Sequence, residues 1–376
     1  MSDNAQMFII AEAGVNHNSD PAIARELVHV AAEAGADAVK FQSFSADRLV
    51  RRDAEMASYQ VANTGRSDTQ HNMLKALEMS AELHADLNSL CGSLGIEFMS
   101  TPFDTGSLRF LVDEIGVKRL KIPSGEAVNG LLLLEAARAG LPIILSTGMC
   151  TLEEVIESLS IILWGTQNPT GTPPSRAAVA ALRETPYWTA PLQDIVWVLQ
   201  CVTQYPAPPD ATNLRAMETL ARETGLKTGL SDHSIGRHIA IASAARGACA
   251  LEKHFTMSRD MPGPDHKASL EPDELKAMVR EIRDVEAALG NGEKSPSTAE
   301  RANMKAARGS IVAARNLTAG ERISPSDLTV KRPGDGLSPL HLWDLAGRVL
   351  QNSYMADEPI KSDELAEEKG PLKADV

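Results

Sequence analysis

The sequence predicts a (β/α)8 barrel followed by a small β-rich domain. Three observations carry this expectation. Between Phe8 and Leu289, short apolar runs ending in polar clusters alternate with segments of helical period. No Gly-x-Gly-x-x-Gly follows the first strand, which argues against a doubly wound open sheet. After Gly290 the chain changes to short strands and frequent turns.

The elements follow in order. Phe8 to Glu12 is an apolar strand ending in a carboxylate, with Asn16-His17-Asn18 as the loop after it. Asp20-Pro21 opens a helix to about Ala34, since proline suits a first turn, and Gly35 closes it. Ala38 to Gln42 is the second strand. The polar stretch 45 to 80 is too long for an ordinary connection and reads as an active-site loop. Leu83, Leu87, Leu90 and Leu94 share one helical face, closed by Gly95. Ile96 to Ser100 is the third strand and runs into Thr101-Pro102-Phe103-Asp104; a helix over about 107 to 115 is expected next. Arg119 to Ile122 leads into Pro123-Ser124-Gly125-Glu126, and a further helix ends near Gly140. Pro142 to Leu145 leads into Ser146-Thr147-Gly148. Thr151 with Glu154 makes a capping box. Residues 165 to 192, rich in Gly, Thr and Pro, read as a surface insertion. Ile195 to Cys201, Lys227 to Leu230 and Ala248 to Lys253 complete the strands, with a helix over about 214 to 224. Leu275, Met278, Ile282, Val285 and Leu289 mark the last barrel helix.

The expected domains are therefore 1–290 for the barrel, 291–308 for a polar linker, and 309–376 for the small domain with a frayed tail. An internal repeat marks the last: Ala319-Gly-Glu321-Arg-Ile323 with Leu328, then Ala356-Asp-Glu358-Pro-Ile360 with Leu365. A pseudo-symmetric β-rich domain fits that pattern.

Composition narrows the function. The 376 residues are 43% hydrophobic, enough for a sizeable core. A formal net charge of −13 argues against nucleic acid as a partner. No apolar run approaches the roughly 18 residues that span a membrane, and Phe8-Ile9-Ile10-Ala11 is too short for a signal peptide. The four cysteines form no CxxC pair and suit buried thiols in a reducing cytoplasm.

In a barrel of this kind the chemistry sits at the C-terminal strand ends. His233 and His254 would lie there on adjacent strands, about 4.8 Å apart, close enough to share a metal. Neutral imidazoles suit Mn2+, Zn2+ or Fe2+, and two histidines without a third leave coordination positions for water and substrate. Lys40 and Lys121 sit inside apolar strands, and a buried ammonium is costly without a counter-charge. With the hydroxyls of Thr101, Ser124, Ser146 and Ser231 they suggest a phosphate cradle rather than a structural ion pair. Glu126 and Asp265 are candidates for acid–base work.

Together these motifs resemble the sialic acid synthases. The resemblance rests on Glu12 with Asn16-His17-Asn18, Val39-Lys40-Phe41-Gln42, Ser100-Thr101-Pro102-Phe103-Asp104, Lys121 to Glu126 and Ser146-Thr147-Gly148-Met149. It continues through Tyr205-Pro206, Leu230 to His233, Glu252 to Thr256 and Met261 to His266, and Lys331-Arg332-Pro333-Gly334 is similar to the motif of an antifreeze-like (SAF) C-terminal domain. The resemblance implies condensation of phosphoenolpyruvate with an N-acylated amino-sugar aldehyde, releasing phosphate. It implies that Lys40, Thr101, Lys121, Ser124, Ser146 and Ser231 hold phosphoenolpyruvate. It implies that His233 and His254 hold a divalent metal, Mn2+ before Mg2+ or Co2+. It assigns acid–base work to Glu126, with Glu12, Tyr205 and Asp265 as further catalytic groups and Gln42 and Phe103 beside the sugar. It also implies a domain-swapped homodimer in which Arg332 enters the partner site. At Ala306-Ala307 some members carry an aromatic residue instead.

The first expectation is a cytoplasmic transferase making N-acetylneuraminate from N-acetylmannosamine. The alternative is a legionaminic acid synthase acting on a 2,4-diacetamido-trideoxy hexose, with a pseudaminic acid synthase ranked below it. A metal-dependent pyruvate aldolase on the same barrel would not need the two-lysine cradle. A non-catalytic carbohydrate-binding protein would show neither metal dependence nor phosphate release.

Overall fold

Eight parallel strands organise residues 1–290: β1 Phe8–Gly14, β2 Ala38–Ser43, β3 Glu97–Pro102, β4 Leu120–Ile122, β5 Ile143–Ser146, β6 Val196–Cys201, β7 Lys227–Asp232 and β8 Ala250–His254. They appear in a computed structural model that describes residues 6–57, 60, 61, 63 and 68–365; the tail expected to fray lies outside the described residues. The strand order is β3-β2-β1-β8-β7-β6-β5-β4, so β1 bonds to both β2 and β8 and the sheet curls into a nearly closed barrel. Among the described residues, no backbone ladder joins β3 to β4.

Strand alternation divides each strand between two environments. Ile10, Ala38, Met99, Ile144, Leu199 and Ala250 form an apolar layer of their own inside the barrel. Their neighbours, such as Ile9, Val39, Phe98, Leu145, Val198 and Leu251, join a separate core with the surrounding helices. Two residues beyond the inner layer, on the same strand face, stand Glu12, Lys40, Thr101, Ser146, Cys201 and Glu252. The barrel thus changes from hydrocarbon to charge within one layer. Gly229 lets β7 approach β8 closely: a Cβ there would press into the Ala250 carbonyl oxygen and lie 2.8 Å from Leu199 Cδ2.

The helices begin and end where local chemistry directs. Asp20 accepts from the backbone N–H groups of Ala22 and Ile23 at 2.8 and 3.3 Å, capping the helix Pro21–Ala34, and Gly35 closes it at φ 80°. Thr151 and Glu154 form their capping box on the helix Leu152–Gln167. On the helix Ala81–Leu94, Leu83 and Leu87 are buried, but Leu94 is exposed because it is the last helical residue. The segment expected as a helix over 107–115 starts at Thr105 and widens into a π-turn over Leu111–Ile115. The insertion after Gln167 contains the short helix Arg176–Ala181 and is tied back by the Arg138 guanidinium, which donates to the Asn168 carbonyl at 3.1 Å.

The long stretch after β2 holds two short helices, Ala46–Leu49 and Gln70–Lys75. It is pinned at several points. Ser19 Oγ donates to the Ala76 carbonyl at 2.7 Å, Asn63 Nδ2 to the Pro264 carbonyl at 2.6 Å, and the Ala46 N–H to Glu78 Oε1 at 2.7 Å.

Residues 291–376 form the second unit. The stretch expected as a linker carries a helix, Thr298–Ala307, opened by a Ser297–Glu300 capping box. Strands β9 Ser310–Ala313 and β10 Leu328–Lys331 pair antiparallel. The sequence repeat is a structural one. Ile323 and Ile360 are both buried in this unit's core. Glu321 and Glu358 each accept from a backbone N–H three residues earlier, that of Thr318 and of Met355. Gly320 and Asp357, at matching positions, both adopt positive φ. Each copy ends in a 3-10 turn, Pro325–Asp327 and Ser362–Leu365. The four cysteines are free.

Candidate active site

A cavity of about 310 Å3 opens at the C-terminal ends of the strands. Its floor is the charged layer. Lys40 Nζ lies 2.7 Å from Glu12 Oε2, 3.5 Å from Glu252 Oε2 and 2.6 Å from Thr101 Oγ1. Lys121 Nζ lies 3.3 Å from Glu252 Oε1, which also accepts from Ser231 Oγ at 2.9 Å. All are buried. The burial argument from sequence, that an external anion must meet the two ammonium groups, is therefore corrected. Protein carboxylates meet both lysines.

Glu252 is the residue that sequence reasoning passed over. Its carboxylate bridges the two lysines from the centre of the floor. Strand alternation could have found it, because it shares the inward face with His254 two residues on. Lys253 between them points the other way and pairs with Asp232 at 2.8 Å.

The floor's electrostatics are uneven. Burial opposes ionisation of Glu252, but the ammonium groups of Lys121 and Lys40 outweigh it and hold its carboxyl well below the usual range. At Glu12 burial wins over Lys40, with Glu252 adding repulsion, and the carboxyl is pushed up to about 7. Burial lowers Lys121 despite the attraction of Glu252. For Lys40 burial is outweighed by Glu12 and Glu252, and its affinity for a proton rises. The raised Glu12 carboxyl takes up a proton far more readily than Glu252, so one of the two carboxylates is firmly ionised against the lysines. An incoming anion remains compatible with the site on that ground.

The imidazoles stand at one side. His233 and His254 have ring centroids 5.3 Å apart, and Tyr205 stacks on His233 at 4.0 Å. His233 Nδ1 donates to the Val202 carbonyl at 2.6 Å, so Nε2 carries the lone pair when the ring is neutral; burial opposes a proton there, but Cys201 and the Val202 carbonyl outweigh it and raise the ring's proton affinity. His254 is held neutral, its ring lowered well below the usual value by burial and then by His233. Its Nδ1 is buried without a hydrogen-bond partner, as are Ser146 Oγ and Thr203 Oγ1, and all three residues line the cavity. This donor set fits a divalent cation with two protein ligands. Among the described residues, no three His, Cys, Asp or Glu side chains converge on one point, so further ligands would come from substrate and water.

The structure brings most of the expected residues to this cavity: Glu12, Lys40, Gln42, Thr101, Phe103, Lys121, Ser124, Ser146, Tyr205, Ser231, His233, His254 and Asp265 border it. Ser124 Oγ accepts from the Gly148 N–H at 2.9 Å, and Asp265 is pushed up to about 6 by burial against the pull of His233. Glu126 is placed differently. It is not among the cavity-lining residues, and its Oε2 accepts from Asn129 Nδ2 at 2.6 Å, bracing the cap of the helix Gly130–Arg138. Arg332 belongs to the second unit, exposed just after β10.

Comparison with known proteins agrees with the geometry. The model of the NeuB family matches residues 27–294, and that of the SAF domain matches residues 308–366. An N,N'-diacetyllegionaminic acid synthase of Legionella pneumophila is 47% identical, over 93% of this chain and 92% of its own. An N-acetylneuraminate-9-phosphate synthase of Mus musculus is 30% identical, over 98% of this chain and 95% of its own. Among solved structures, an N-acetylneuraminic acid synthetase of Leptospira borgpetersenii, in complex with citrate, superposes with a TM-score of 0.64. It is 32% identical and the match covers 80% of this chain and 90% of that one.

Proposed function

This chain belongs to the NeuB family of sialic acid synthases, and from that premise we propose that it is a legionaminic acid synthase. It condenses phosphoenolpyruvate with a 2,4-diacetamido-trideoxy hexose and releases phosphate. The greater identity to the Legionella pneumophila legionaminic acid synthase than to the 9-phosphate synthases favours this sugar over N-acetylmannosamine, the first expectation from sequence. The observation that carries the reaction is the shared cavity: two facing imidazoles stand beside a two-lysine floor.

In this reading Lys40 and Lys121 neutralise the phosphate and carboxylate of phosphoenolpyruvate, with Thr101 and Ser146 supplying hydroxyl donors, and Ser231 joins them by turning its hydroxyl away from Glu252. Anion binding draws a proton onto Glu12, whose carboxyl already titrates near neutrality. His233 and His254 would hold a divalent cation, Mn2+ first, that polarises the open-chain aldehyde oxygen. C3 of phosphoenolpyruvate bonds to the aldehyde carbon, water adds at C2, and the C–O bond to phosphate breaks. Glu12, protonated once the anion is bound, is suited to give its proton to the departing phosphate, and Asp265, also titrating close to neutrality, to receive the proton of that water. Tyr205 keeps the His233 ring in place by stacking. Gln42 and Phe103 line the sugar side, whereas Glu126 stays outside the cavity lining, bound to Asn129. Arg332 of a second copy completes the sugar site in a homodimer.

An amino-sugar panel scored by phosphate release, with product mass, tests the proposal. The diacetamido-trideoxy hexose should give the highest kcat/KM. Product formed from pyruvate alone would show an aldolase instead.

A further inference from the structure

The mouth of the cavity has an unusual composition. Leu49, Val50, Met73, Leu74 and Leu77 border it, all from the long stretch after β2. All are half-buried, and none joins the hydrophobic core of the barrel unit. Met73 and Leu74 lie on the helix Gln70–Lys75 and Leu77 just beyond its end, at a spacing that puts them on one side. The hydrogen bonds from Ser19, Asn63 and Ala46 that pin this stretch hold the wall in position. Its polar contributions to the cavity are the neutral amides of Gln60 and Gln70, and among the described residues it lends no charged side chain.

Resting on the synthase reading above, we propose that this hydrocarbon wall reads C6 of the sugar and selects a methyl terminus over a hydroxymethyl or a phosphate. The argument is one of direction and solvation. The aldehyde carbon must reach the imidazoles, and phosphoenolpyruvate occupies the charged floor. An open-chain hexose so placed has C6 at its far end, toward whatever covers the mouth. A methyl group there meets carbon and is removed from water favourably. A hydroxyl loses its water partners against a surface that offers few replacements. A phosphate would face hydrocarbon, with no cation among the wall's described residues.

The test uses sugars that differ only at C6: N-acetylmannosamine, its 6-deoxy analogue and its 6-phosphate. Phosphate release is measured with the full-length protein and with Leu74→Gln and Met73→Gln. The wild type should use the 6-deoxy analogue with a kcat/KM about 10- to 100-fold above that of N-acetylmannosamine, the range an apolar pocket achieves against one hydroxyl. It should not turn over the 6-phosphate. Either variant should narrow the ratio about tenfold, through KM for the deoxy sugar, with KM for phosphoenolpyruvate unchanged. A wild-type preference for the hydroxylated sugar, turnover of the 6-phosphate, or a ratio untouched in both variants overturns the inference and leaves the synthase reading standing. No phosphate release from any sugar, the diacetamido-trideoxy hexose included, overturns both.

Discussion

Lys253 Nζ lies 2.8 Å from Asp232 Oδ2, and neither side chain reaches solvent. The pair crosses from β8 to β7 on the side of the sheet away from the cavity. Lys253 also donates to the Ser234 carbonyl at 2.5 Å, and Asp232 accepts from the Ser234 N–H at 2.9 Å. These contacts join the strand ends that present His233 and His254. Asp232→Ala leaves a buried ammonium alone and should destabilise the fold by roughly 3–5 kcal/mol. The double change Asp232→Leu with Lys253→Met should cost far less, because no charge remains unpaired. Chemical denaturation of the two variants checks this; equal losses would contradict it.

Lys121 should matter more for one substrate than for the other. Lys121→Met removes an ammonium from the floor and leaves Glu252 to Lys40. Loss of a charge-assisted contact of roughly 1.5–3 kcal/mol corresponds to a KM for phosphoenolpyruvate raised about 10- to 100-fold. KM for the sugar should change little. Parallel rises in both constants would remove Lys121 from the anion site.

The two imidazoles predict metal dependence with a direct readout. Chelation should abolish phosphate release, and Mn2+ should restore it. His233→Ala should lose more than about 100-fold of activity, beyond what disturbing a ligand's hydrogen-bond partner costs. The variant should also fail to bind Mn2+ by electron paramagnetic resonance while retaining the wild-type circular dichroism. Undiminished turnover by a rigorously chelated sample would refute the role.

Acid should destabilise the fold through buried histidines. Burial, and then His84, lowers the His17 ring to about 4, and its Nδ1 accepts from the Ser19 N–H at 3.0 Å. Burial lowers His266 to about 4 as well. Unfolded, each takes up a proton near pH 6.5. Between pH 6.5 and 4 the unfolded chain therefore binds more protons than the folded one. The stability due to neutral His17 is complete above pH 6.5 and falls by about 3 kcal/mol as pH drops to 4. His17→Asn keeps an acceptor for Ser19 but cannot titrate. Its stability should fall less steeply over that window than that of the wild type, and identical slopes would rule His17 out.

Arg332 should act across subunits. Arg332→Ala should raise KM for the sugar at least tenfold, the effect of losing a charged hydrogen bond, with little change for phosphoenolpyruvate. Mixing it with His233→Ala after denaturation and refolding should restore part of the activity, since a mixed dimer can rebuild one intact site. No restoration, in a sample that sedimentation shows to be dimeric, would place Arg332 outside the partner's site.

Much of this protein is legible along the chain because the signals are local. Asp20 and Gly35 bound their helix through hydrogen bonds and a backbone conformation set within a few residues. The Thr151–Glu154 box is equally local. The alternation of apolar runs with helical segments defines the barrel, and polar strand ends mark which mouth carries chemistry. His233 and His254 were readable from one strand–helix spacing.

What the chain order leaves open is which charges meet. Lys40 and Lys121 announce a need for an anion, but only the closed barrel brings Glu252 from β8 between them and Glu12 from β1 against Lys40. Likewise, nothing local tells that Leu74 and Leu77 turn toward the mouth of the cavity instead of the core. Secondary structure depends on neighbours in sequence, whereas the partner of a buried charge depends on which strands curvature makes adjacent. The sequence by itself therefore determined the barrel and the strand ends that carry its polar residues, because those signals are local; the tertiary structure decided which charges pair and which side chains border the cavity, because strand adjacency depends on the closed sheet.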